Sequence, residues 1–200
     1  MNPYDELRSK RAEISREWAS RTFAAGSTFR IFAKRESPRI KKFLIREIGD
    51  GSKLARCGDA SAYENALRSI IHKLRRRTKT NRKMKHRRPN FGQAAKVVNL
   101  YVKALLQLPD YLLPYNKRKL EEYAHVALDS QILGRMWGRK GKPGHFQKEL
   151  ISAGIKKRPV LSNLKDEHEY SKIQKVLADS CSTRAIPRIA YDYYWALREK

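Results

Sequence analysis

The chain has 200 residues, the length of one ordinary domain and enough to enclose one moderate core. Hydrophobic residues make up 40% and charged residues 32%, which excludes a wholly disordered chain, and no apolar run reaches the ~18 residues of a spanning helix. Lys and Arg number 45 against 20 Asp and Glu, a formal net charge of +25 whose self-repulsion a polyanionic partner relieves.

Nucleic acid fits that role best, because each phosphate neutralised by Lys or Arg also releases condensed counterions. DNA is the expected partner, with RNA as the alternative; neither a membrane nor a small-molecule cofactor is expected. Asp5 and Glu6 stand where a signal peptide needs an apolar stretch, and Cys57 and Cys181 are isolated. The expected location is therefore the reducing cytoplasm. His72, His86, His125, His145 and His168 show no H-x-x-x-H spacing, so no metal is expected either.

In chain order, Ile14, Trp18, Phe23, Phe29 and Phe32 recur at loose helical intervals and predict two short helices broken at Gly26-Ser27. Pro38 can open a helix with an apolar face of Ile40, Phe43, Leu44, Ile45 and Ile48 that stops at Gly49-Asp50-Gly51. Ser61-Ala62-Tyr63-Glu64 has the form of a capping box, followed by the stripe Leu67, Ile70, Ile71 and Leu74 in a helix reaching about Arg76.

Ten cations fall in the sixteen positions from Lys73 to Arg88. Such a run repels itself, and it is read as a basic loop over 73–90 that phosphates order. Its candidate backbone-binding residues are Arg75, Arg76, Arg77, Lys79, Arg82, Lys83, Lys85, Arg87 and Arg88. Asn90-Phe91-Gly92-Gln93 looks like a cap, and Ala94, Val97, Val98, Tyr101, Val102, Leu105 and Leu106 give the next helix a broad apolar face, as befits a central element.

Pro109 ends that helix, Pro109 to Pro114 reads as a turn or short distorted helix, and a short helix follows from about Lys117 to Tyr123. Asp129 precedes Ile132, Leu133, Met136 and Trp137 in the position of a cap, and Gly138 ends the helix. Gly138 to His145 predicts a flexible loop whose Arg139, Lys140 and Lys142 can approach a phosphate backbone. Helices near Phe146 to Ser152 and Glu167 to Leu177 come next, then the aromatic segment Tyr191, Tyr193, Tyr194 and Trp195. With no alternating strand series and no internal repeat, the expectation is an all-α fold, a single helical domain over 1–200 acting as a monomer.

Patterns for a P-loop, a G-x-S-x-G elbow or a dinucleotide fingerprint are absent from the sequence. The chemistry-bearing segment is 91–137. Within it, His125-Val126-Ala127-Leu128-Asp129-Ser130-Gln131-Ile132 resembles the helix-hairpin-helix superfamily of DNA glycosylases, which carry an aspartate at the head of a helix in a "PVDTHV"-like string. Phe91-Gly92-Gln93-Ala94-Ala95-Lys96-Val97-Val98 is similar to the lysine-bearing helix of the archaeal 8-oxoguanine glycosylase branch. Ala127 stands where the string has proline, and Leu108-Pro109-Asp110-Tyr111-Leu112-Leu113 lacks the glycines of the family's hairpin.

The resemblance implies a base-excising enzyme with Asp129 as catalytic carboxylate and Lys96 as a candidate nucleophile. It leaves two substrate classes open: a damaged base in repair, or a hypermodified cytosine in phage DNA removed in defence. Breaking an N-glycosidic bond develops positive charge at the sugar C1′, which a fixed carboxylate stabilises. A lysine freed of its proton could attack the same carbon. The base must leave the stack, so a pocket is required, with Phe91, Gln93, Asn99, Gln131 and Trp137 as candidates to read or stack on it. Two rival readings stand beside this one: a non-catalytic DNA or RNA binder in which Asp129 only caps a helix, and a ribonuclease using His86 or His125 with Arg87 or Arg88.

Overall fold

The structure, a computed structural model, describes residues 3–23, 29–81, 87–139, 141–183 and 185–197, leaving aside the side chains of 3, 4, 139 and 194–197. Gly26-Ser27, Arg82, Lys83, Lys85, His86 and Lys140, and the side chains of Arg139, Tyr194 and Trp195, therefore lie outside the described residues. The fold is all-α. Among the described residues it comprises α1 (Pro3–Ser9), α2 (Arg11–Thr22), α3 (Glu36–Glu47), α4 (Ser52–Ala55), α5 (Ala60–Arg77), α6 (Phe91–Leu106), α7 (Lys117–Tyr123), α8 (Ser130–Trp137), α9 (Gln147–Ser152), α10 (Glu167–Ser182) and α11 (Ala190–Leu197). One antiparallel pair, β1 (Gly138–Arg139) and β2 (Lys142–Pro143), adds the only ladder among the described residues.

The apolar richness of α6 makes it the axis of the fold. Thirteen of its sixteen residues are buried, and α2, α5 and α10 pack around it. Its start is fixed by a capping box: Asn90 Oδ1 accepts the Gln93 N–H at 2.8 Å and Gln93 Oε1 accepts the Asn90 N–H at 3.0 Å. Asn90 Nδ2 also donates to the Leu161 and Ser162 carbonyls, so one side chain ties the head of α6 to a loop seventy residues on. Buried apolar side chains from Ala19 to Ile189 join in one continuous cluster.

Several local expectations shift. The cap of α5 is Asp59, whose Oδ1 accepts the Ala62 N–H at 2.8 Å, and not Ser61, because the chain bends into the helix two residues earlier. The basic loop is shorter than expected, since α5 continues to Arg77 and carries Lys73 and, on its last turn, Arg75, Arg76 and Arg77, where cations complement the helix dipole. Lys73 pairs with Glu47 at 3.1 Å, Arg75 donates to the Pro89 carbonyl, and Arg77 lies over the Phe43 ring. Lys79 to Asn81 runs extended beside Ile31 to Ala33, held by a bridge between Phe32 and Thr80.

Where the sequence predicts a loop, the described residues from Gly138 to His145 pair as an antiparallel hairpin, Gly138 with Pro143 and Arg139 with Lys142, closed onto the end of α8. The N–H groups of Gly144, His145 and Phe146 donate to the carbonyls of Trp137, Arg135 and Met136, three acceptors a helix end leaves unmatched. Gly138 makes this possible. Its φ of 90° with ψ of −168° suits glycine alone, and any Cβ there meets the backbone of residues 142–144.

Candidate active site

Asp129 is held as a cap should be. Its Oδ1 accepts N–H bonds from Gln131 at 3.0 Å and Ile132 at 2.9 Å, which leaves Oδ2 facing away from the helix. Lys96 Nζ lies 3.8 Å from that Oδ2. The side chains keep 21% exposure at Lys96 and 31% at Asp129, so the pair is sheltered yet within reach of a ligand. On the same helix, Lys103 forms a closer and more buried pair with Asp192 at 2.8 Å, which is a packing contact by comparison.

The segment before Asp129 is pinned through the core. Gln174 on α10 uses both ends of its amide on one residue, accepting the Val126 N–H at 3.1 Å and donating to the Val126 carbonyl at 2.8 Å. Arg188, itself buried, donates to the carbonyls of Tyr123 and Ala124. Residues 124–128 are buried, with a tight turn in which the Leu128 N–H donates to the Val126 carbonyl at 2.9 Å just before Asp129.

Along α8, the helix that Asp129 caps, opens a cleft of about 580 Å³ lined by Ser130, Gln131, Gly134, Arg135, Lys142 and Arg158, among others; Asp129 and Lys96 themselves do not line it. The size suits a small organic group, and the lining carries three cations. A second cleft of about 430 Å³ shares Lys142 and Arg158 and adds Trp137 and Gln147. Of the candidate base-pocket residues, exposed Gln131 and half-buried Trp137 line these clefts.

Phe91, Gln93 and Asn99 do not line them. Phe91 packs against Tyr170 and His72, Gln93 serves the capping box, and Asn99 is fully buried with its Nδ2 on the Tyr170 hydroxyl at 2.7 Å. Each sits inside because the 161–165 loop and α10 cover the first half of α6, contacts that a linear pattern does not display. Arg76, Lys79, Arg87, Arg88 and Lys142 are exposed.

His125 is also interior. Its Nδ1 lies 3.0 Å from the Tyr170 hydroxyl, while Glu64 Oε1 stands 3.8 Å from Nε2, beyond hydrogen-bond reach. Burial, and then the Arg188 charge, push its pKa down to about 4, so the ring is neutral near pH 7. A closed-off neutral imidazole offers no acid at a phosphate, so His125 does not serve the ribonuclease reading; His86, its other candidate, lies outside the described residues. Among the described residues, no three His, Cys, Asp or Glu side chains gather as a metal site, and no helix is long and apolar enough to cross a membrane.

Arg158 is the site residue that sequence reasoning missed. Gly154-Ile155-Lys156-Lys157-Arg158-Pro159 has the same glycine, cation and proline make-up as the 138–145 segment, which was the available signal. No protein-family model, curated protein or solved structure matches the chain.

Proposed function

We propose that the protein is a DNA glycosylase that extrudes a damaged or modified base and hydrolyses its bond to the sugar, leaving an abasic site. The observation that carries this reading is the meeting of Lys96 and Asp129, thirty-three positions apart in sequence, at 3.8 Å at the head of α8, the helix whose next residues, Ser130 and Gln131, line a cation-bearing cleft. The two backbone bonds to Oδ1 hold the carboxylate still, so its charge is in place before the reaction begins.

As the bond from C1′ to the base breaks, the base leaves with the electron pair and takes up a proton, and Asp129 stabilises the positive charge left on the sugar. The attacking group is then either a water that Asp129 orients or the Lys96 amine after it passes a proton to Asp129. In the second case a bond from Nζ to C1′ forms as the bond to the base breaks, the C1′–O4′ bond then opens with a proton passing to O4′ to leave a Schiff base, and β-elimination of the 3′ phosphate can cut the strand. Gln131 and Trp137 are placed to contact the extruded base, one through its amide and one through its ring.

The test incubates the protein with duplex DNA carrying ordinary, oxidised or glucosylated hydroxymethylated bases and measures free base and abasic sites. Base release that disappears in Asp129→Asn, with DNA binding retained, supports the assignment and the substrate that gives it separates repair from phage defence. DNA binding with no released base on any substrate favours the non-catalytic binder, in which Asp129 is a cap alone.

A further inference from the structure

Arg158 borders three clefts: the one along α8, the one at Trp137, and a third of about 410 Å³ under the loop that carries Lys156 and Lys157. Together they set six cations, Arg135, Lys142, Lys156, Lys157, Arg158 and Lys172, along a run of clefts that meet at Arg158. Two carboxylates, Asp166 and Glu169, face it, both at the far end, and one oxygen of Asp166 already accepts the Glu169 N–H.

Among the described residues no carboxylate pairs with Lys142, Lys156, Lys157 or Arg158, whereas Lys73, Arg75 and Arg77 of the cation-rich run are engaged within the protein. A second observation is independent of charge. An Arg158 terminal nitrogen lies 2.8 Å from where a Cβ on Gly134 would stand, so the guanidinium rests on α8 at a residue with no side chain. Glycine is an unfavourable choice inside a helix, and here its effect is to leave room for that cation above the cleft.

We propose that this groove, with Arg158 at its centre, is the track for the DNA phosphate backbone flanking the extruded nucleotide. The identity of the polyanion rests on the glycosylase reading. Arg158 supplies a fork that can hold one phosphate by two bonds, and Lys156 and Lys157 continue the track as point charges.

The test measures binding to a short unmodified duplex across a salt titration for Arg158→Gln, the double variant Lys156→Gln/Lys157→Gln, and Gly134→Ala. Roughly tenfold weaker binding per lost contact is expected, and the slope of log affinity against log salt should fall by about 1 for Arg158→Gln and about 2 for the pair. Gly134→Ala removes no charge and should weaken binding by displacing the guanidinium, with the melting temperature held or raised. Affinity and salt slope equal to wild type in all three variants overturn the groove, even if Asp129-dependent base release is seen. Loss of binding in these variants with no base release from any substrate leaves the groove standing and removes the glycosylase. Loss of binding to phosphatidylserine vesicles with duplex binding intact would overturn it in favour of a membrane surface.

Discussion

Gln174 closes two hydrogen bonds on Val126, one through each end of its amide, so that a side chain of α10 takes the place of a neighbouring strand for the segment leading to Asp129. Gln174→Leu keeps much of the volume and leaves the buried Val126 N–H unmatched, while the Val126 carbonyl still accepts the Leu128 N–H at 2.9 Å. A loss of roughly 1–3 kcal/mol is expected, from the one buried group left unmatched, read by urea unfolding. A variant as stable as wild type would show that Val126 finds other partners.

His125 predicts how stability depends on pH. Its folded pKa of about 4 lies below its ordinary 6.5, so the unfolded chain binds the extra proton between those values. Stability is therefore complete above pH 6.5 and falls as the pH drops towards 4, by about 3 kcal/mol in total. Chemical denaturation at a series of pH values should show this decline in the wild type and a flatter profile in His125→Phe. The same profile in both would remove His125 as its source.

Gly138→Ala should break the hairpin that forms the cleft wall. The substitution forces a side chain into a conformation reserved for glycine and against the backbone of 142–144. A destabilisation of about 1–3 kcal/mol or more and weakened DNA binding are expected, measured by thermal unfolding and fluorescence anisotropy. Unchanged binding would show that the hairpin is not part of the interface.

Much of the fold was legible because helix ends are local chemistry. Asn90, Asp129 and the stretch from Lys117 to Tyr123 announce themselves through short acceptors, proline and apolar spacing. The hairpin was not legible, since strands of two residues show no alternation, and Asp59 was passed over for the stronger-looking Ser61 pattern. In the site, Asp129 and Lys96 followed from resemblance and spacing. Arg158 did not, because its place over Gly134 depends on a tertiary approach between α8 and a distant loop. Phe91, Gln93 and Asn99 show the converse: polar or aromatic residues near a helix start look available until another segment covers them.

Borohydride trapping together with base-release assays bears most directly on the Lys96–Asp129 pair. On a substrate that the wild type processes, Asp129→Asn should abolish base release while leaving duplex affinity within about twofold, since one surface carboxylate contributes little to phosphate binding. An adduct trapped by borohydride in the wild type and absent in Lys96→Ala assigns the nucleophile to the lysine, and no adduct assigns it to water. Base release by Asp129→Asn at the wild-type rate would contradict the account, leaving Asp129 as the cap of α8 and nothing more.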